Sequence, residues 1–268
     1  MNPGLWGRLF LTSILGLGLS HAFGFFFLAA LPMRYSRLTF GRMPYLLSSL
    51  VCASLLISYS LFEWAAIYCT LSFLIGFYRE LEEKKLPILT SSTISVLTTA
   101  GLTLGAVVAY AAGLGTSLQS FLLGRIEPAL EQLKEFPRFA EMTSSQVLWY
   151  MPSGLIISLM LILFVSLSLN RGNSGHQQLR KSLQQFRLPE SMIWLFIASL
   201  AGTYIRWPEA WGTIPLVSMN VLAITMAAYF FQGLAVFNHF LNRLRVYGFW
   251  RLFAYFLVFL QMFPFVSE

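Results

Sequence analysis

The side chains able to do chemistry are few in this chain, and they are scattered. Histidine occurs at His21, His176 and His239, cysteine at Cys52 and Cys69, every acid is glutamate, and aspartate is missing altogether. A metal centre needs ligands in a cluster, yet no histidine forms an H-E-x-x-H pair or lies near a cysteine in the sequence. There is no G-x-S-x-G elbow, no Walker A loop and no dinucleotide fingerprint. No catalytic centre, no metal and no cofactor is therefore expected. Binding chemistry remains, carried by polar residues set in apolar runs: His21, Asn220 and Gln232, then Asn238 and His239 where the run ends, with Glu63 and Gln261 in similar settings. Burying such groups unpaired costs kilocalories, so each is expected to face a cavity or to bond a neighbouring helix.

A second pattern is made of small residues. Gly101, Gly105, Ala109 and Gly113 recur every four positions in a run rich in Ser and Thr, a stripe that lets another helix approach backbone to backbone. Packing within the bundle is the expected use, docking of a partner the alternative. Ala198 and Gly202, and Ala223 and Ala227, repeat the spacing. Gly233 permits a close approach of the same kind.

The elements that must position these residues are apolar segments. With 57% hydrophobic and 11% charged residues the composition lies outside that of soluble domains, where about a quarter of residues are charged. Mean hydropathy is +0.68. A bilayer core of roughly 30 Å takes about 20 apolar residues as helix. Hydropathy places spans at 9–31, 45–61, 62–78, 87–112, 148–169, 191–205, 213–237 and 250–266, an all-helical polytopic bundle in one domain. The 35-residue run 44–78 is too long for one crossing and divides at Glu63 and Trp64. The start imitates a cleavable signal, but its apolar run continues to Leu31, so a spanning helix is expected.

The net charge of +7 would raise the question of nucleic acid in a soluble protein. Here the bases sit at segment ends, where they set topology and meet lipid headgroups. Thirteen lie on one side, from Arg34, Arg37 and Arg42 to Arg243, Arg245 and Arg251; Arg8, Arg125, Lys134, Arg138 and Arg206 lie on the other. The positive-inside rule puts the thirteen in the cytoplasm and both termini outside, although Arg8 alone would prefer the inside. Both cysteines lie in apolar segments, so no disulfide framework is expected.

Between 113 and 146 an amphipathic helical pair is expected, with Pro128 starting its second helix and Pro137 ending it. The loop 170–187 is polar and basic. Two tryptophans, Trp207 and Trp211, flank a tight turn as interface anchors.

Residues Phe186-Arg187-Leu188-Pro189-Glu190-Ser191-Met192-Ile193-Trp194, and Asn220 followed by Tyr229-Phe230-Phe231-Gln232-Gly233-Leu234-Ala235-Val236, resemble the YybS-like family of uncharacterised bacterial membrane proteins. That family is similar in helix pattern to the substrate-binding subunits of energy-coupling-factor vitamin transporters. The resemblance implies a multi-pass protein of the bacterial cytoplasmic membrane and makes Gln232, Gly233, Asn238 and His239 preferred residues. The family often continues into a further apolar stretch and charged tail, where this sequence ends at Glu268. The expected function is to bind or move a small molecule through an intramembrane cavity, with the bilayer and a transporter or envelope protein as partners. A scaffold that docks envelope proteins is the alternative.

Overall fold

In the computed structural model, the residues described are 3–21, 26–134, 142–169, 187–205, 207, 208, 211, 213–246, 250, 253 and 254. Among them the chain forms nine α-helices: α1 Pro3–His21, α2 Ala30–Phe40, α3 Arg42–Ser58, α4 Phe62–Glu83, α5 Ile88–Gly113, α6 Leu118–Leu133, α7 Ser144–Leu169, α8 Ser191–Tyr204 and α9 Thr213–Arg243. A 3-10 turn, Phe26–Ala29, leads into α2.

The first expected span, 9–31, is not one helix. α1 stops at His21, and the chain returns through α2 antiparallel to it: Thr12 Oγ1 lies 2.6 Å from Ser36 Oγ, and a Cβ on Gly16 would touch the Met33 and Pro32 side chains. Polar pairing and small residues on the facing sides explain the hairpin. α1 buries Leu9, Ser13 and Gly16 while leaving Phe10, Leu11 and Leu15 outside. Arg8 consequently lies at the same end as Arg42. Gly41, at φ +85°, reverses the chain between α2 and α3, a left-handed backbone that residues with a Cβ rarely adopt.

The run 44–78 divides as expected. The break covers Tyr59, Ser60 and Leu61, with Ser60 left-handed and Leu61 N–H donating to the Leu56 carbonyl. α3 then packs antiparallel on α4: the Tyr45 hydroxyl donates to the Ser72 carbonyl over 2.7 Å, and its ring lies over Gly76. α4 is central. Its Tyr68, Leu71, Leu74 and Ile75 meet α2 through Met33, α3 through Tyr45 and Leu56, α5 through Val96 and α7 through Leu159 and Leu163 in one core.

α6 corrects a second expectation. It is one helix through Pro128, capped at its start by the Ser117 side chain, and it packs on α5 and α7. Its outer face is tied by Arg125, which pairs with Glu63 and stands over the Phe121 ring. Pro137 lies outside the described residues, as do most of the loop 170–187, Arg206 and most of the expected span 250–266. Trp207 and Trp211 stack at 5.7 Å, and the Trp207 indole N–H donates to the Gly202 carbonyl.

α5, α7 and α9 are each long and apolar enough to cross a membrane, and only 28%, 33% and 17% of their most apolar stretches is buried. Shorter apolar helices accompany them at Gly7–Leu19, Arg42–Ser58 and Ser191–Tyr204. Outward faces carry Leu50, Leu97, Trp194, Val217 and Met226, each more than half exposed. Contiguous apolar surface on this scale is stable against lipid and not against water.

Candidate functional site

Asn220 is fully engaged. α7 contains Pro152, whose missing N–H and ring open the helix at that turn. The amide of Asn220, on the parallel helix α9, fills the gap: Oδ1 accepts from Ser153 N–H over 3.0 Å, and Nδ2 donates to the Trp149 carbonyl over 2.8 Å. A further bond from Nδ2 reaches Leu216 on its own helix. Both amide donors are used. The residue sutures α7 to α9.

Gln232 lies twelve positions further along α9, about 18 Å at the helical rise, so the two amides do not share a site. Its Oε1 is buried without a hydrogen-bond partner among the described residues, one position beyond the buried Phe231. His239 is exposed, and the side chains of His21 and Asn238 lie outside the described residues.

The small-residue stripe of α5 turns away from the bundle, contrary to the expected internal packing. Gly101, Gly105, Ala109 and Gly113 are all exposed, and a Cβ on any of the three glycines would meet nothing within 4 Å. The buried face of α5 is the neighbouring line of Ser91, Ser95 and Thr99. Gly233 also faces open space. Gly202 does what the stripe was expected to do: a Cβ there would stand 2.9 Å from Ser218 Cβ, so α8 and α9 cross almost backbone to backbone. Its partner in spacing, Ala198, is exposed.

Basic residues assigned to topology have a second use. Arg34 and Arg37, on α2, are almost wholly buried at the end of α4. Arg37 Nη2 donates to Glu80 over 2.7 Å and lies 3.5 Å from Glu83; Arg34 Nη2 lies 3.5 Å from Glu82, its guanidinium over the Tyr78 ring. Arg79 and Arg42 complete the cluster on Glu82, Glu83 and Glu80. Sequence spacing concealed this, because α2 and α4 are some 45 residues apart in the chain. Among the described residues no group of three His, Cys or acidic side chains could hold a metal ion.

A cavity lies elsewhere, in the half of the bundle nearer this basic end. It measures about 150 Å³ and is bounded by Leu89 and Val96 of α5, Met160 and Leu163 of α7, Met192 of α8, and Ala228 of α9 with their neighbours. Among the described residues Ser92 and Thr93 are its only polar lining residues. α5 packs on α4 and α7, and α8 packs on α9, so the cavity fills the cleft between α5 and α8 with α7 and α9 as its floor. Sequence reading had no means of finding it, because a residue facing an apolar cavity and one facing lipid obey the same composition.

Helices with lipid-compatible outer faces around an apolar internal cleft define an integral membrane protein of the helix-bundle class. The chain belongs to the family described as predicted membrane proteins (DUF2232), which it matches over residues 9–267. No curated protein and no solved structure matches it.

Proposed function

We propose that the protein binds a small apolar molecule within the membrane, in the cleft between α5 and α8. The observation that carries this reading is the cavity itself. A cleft of about 150 Å³ whose described lining is apolar apart from Ser92 and Thr93 has the size and character to take an apolar group such as a single-ring hydrocarbon. No catalytic step is part of the reading, and any transport would draw its energy from a partner or an ion gradient. The membrane is read as the bacterial cytoplasmic membrane, with the basic end inward. Because the α1–α2 hairpin carries Arg8 to that end, the bias becomes fourteen bases to four, and the conflict at the first helix disappears.

The test is thermal unfolding of detergent-purified protein with and without p-xylene. Ligand bound only to the folded state stabilises it by about 2.7 kcal/mol at a hundred times its dissociation constant. Wild type is expected to gain stability and Ala228→Phe, which fills the void, to gain none. Equal responses in the two proteins would refute the reading.

A second reading, a scaffold that docks an envelope partner, is favoured by one observation: the stripe Gly101, Gly105, Ala109 and Gly113 is free on the outer face of α5. Under that reading Gly105→Leu abolishes a partner complex and leaves folding and p-xylene binding intact.

A further inference from the structure

We propose that the cleft natively takes a segment of one acyl chain of an anionic phospholipid from the surrounding leaflet, with its headgroup held by Lys84, Lys85 and Arg187. This rests on the binding reading above and names its ligand.

Three observations converge on it. The cleft lies between α5 and α8, which have little contact among the described residues, and its lining residues Thr93 and Leu97 are exposed on the side of α5, so it is open to the lipid-facing surface. Its lining comes from Ile88 to Leu97 at the start of α5, Ile156 to Leu167 in the second half of α7, Leu188 and Met192 at the start of α8, and Ile224 to Phe231 in the middle of α9, so one end of the cleft lies where α5 and α8 begin. An occupant therefore has its polar end at the basic end of the molecule.

The charges at that end supply the third. Lys84 and Lys85 immediately precede the turn into α5, and Arg187 adjoins the lining residue Leu188; all three are exposed. The other bases of this end on α2, α3 and α4, namely Arg34, Arg37, Arg42 and Arg79, are committed to Glu80, Glu82 and Glu83. Lys84, Lys85 and Arg187 form no ion pair among the described residues, and Glu190, the residue just before α8, is the acid beside Arg187. Three unpaired cations to one anion, at the head of an apolar slot, complement a negative headgroup on an apolar chain. A neutral hydrocarbon would leave that rim unused.

The experiment is native mass spectrometry of the full chain in a nonionic detergent, titrated with dioleoylphosphatidylglycerol, dioleoylphosphatidylcholine or oleate, the two phospholipids sharing their chains and differing in headgroup charge. Wild type is expected to retain phosphatidylglycerol about tenfold more tightly, the scale of a few solvent-exposed charge contacts. The variant Lys84→Gln, Lys85→Gln, Arg187→Gln reduces the preference to within about twofold. Ala228→Phe weakens both lipids, and Ser92→Leu, which narrows the slot from the opposite wall, does the same should the first variant fold poorly.

Equal retention of the two lipids by wild type would overturn the proposal. So would a preference that survives in the cavity variants, because the lipid would then sit elsewhere, or retention of oleate with no retention of phosphatidylglycerol, because the source would then be a free fatty acid. If p-xylene stabilises wild type and not Ala228→Phe while neither lipid is retained, the occupant is wrong and the apolar site stands. If p-xylene also has no effect, the binding reading itself has failed.

Discussion

Asn220 shows how a polar residue inside an apolar helix can be wholly structural. Its amide replaces the hydrogen bonding that Pro152 interrupts in α7, donating to the Trp149 carbonyl and accepting from Ser153 N–H. Asn220→Leu leaves that donor and that acceptor unpaired in an apolar setting, and a loss of about 1–3 kcal/mol is expected. Unfolding measured in a double-mutant cycle with Pro152→Ala checks the mechanism. An unkinked α7 bonds its own groups, so the double variant loses less than the sum of the single ones. Additive losses would mean that the amide and the proline are unrelated. Gln232 stands apart, with a buried oxygen that has no partner among the described residues. The sequence marked both residues as polar and buried, and could not tell which of them had its partners already.

At the scale of elements, two junctions decide the packing. α2 is fastened to α4 by Arg37, buried and bridging Glu80 and Glu83. Arg37→Ala is expected to cost about 2 kcal/mol in unfolding free energy, the range for hydrogen bonds to charged groups. Arg42→Ala, which removes an exposed partner of the same Glu80, should cost under about 1 kcal/mol. The second junction is α8 on α9 at Gly202. Gly202→Leu forces the helices apart against Ser218 and is expected to cost about 1–3 kcal/mol, whereas Gly105→Leu should change unfolding by less than about 0.5 kcal/mol. Identical losses at the two glycines would contradict the outward orientation of α5.

For the molecule as a whole, the returning hairpin of α1 and α2 places the amino-terminal end beside Arg42 and on the side of Lys84 and Lys85. Single cysteines in place of Gly7, Lys84 and Thr116, in a background lacking Cys52 and Cys69, report this directly. An impermeant maleimide added to intact cells is expected to label Thr116→Cys at once and the other two after permeabilisation alone. Labelling of Gly7→Cys from outside, with Lys84→Cys protected, would restore a single first crossing and undo the hairpin.

The sequence by itself determined the solvent. Long apolar segments interrupted by basic ends can bury themselves in lipid alone, and this follows from composition and length before any contact is known. It also located the break near Glu63, because a 35-residue apolar run exceeds the bilayer and must turn. Tertiary structure decided which face of each helix looks inward. In water, hydropathy separates the core from the surface; in lipid, both sides of an apolar helix are equally greasy, so the orientation of the α5 stripe, the return of α2 along α1 and the cleft beside α8 left no trace in the pattern. Those choices were made by a few polar pairs and close approaches, Thr12 with Ser36, Arg37 with Glu80, Asn220 with Ser153 and Gly202 with Ser218, between residues whose partners lie far away along the chain.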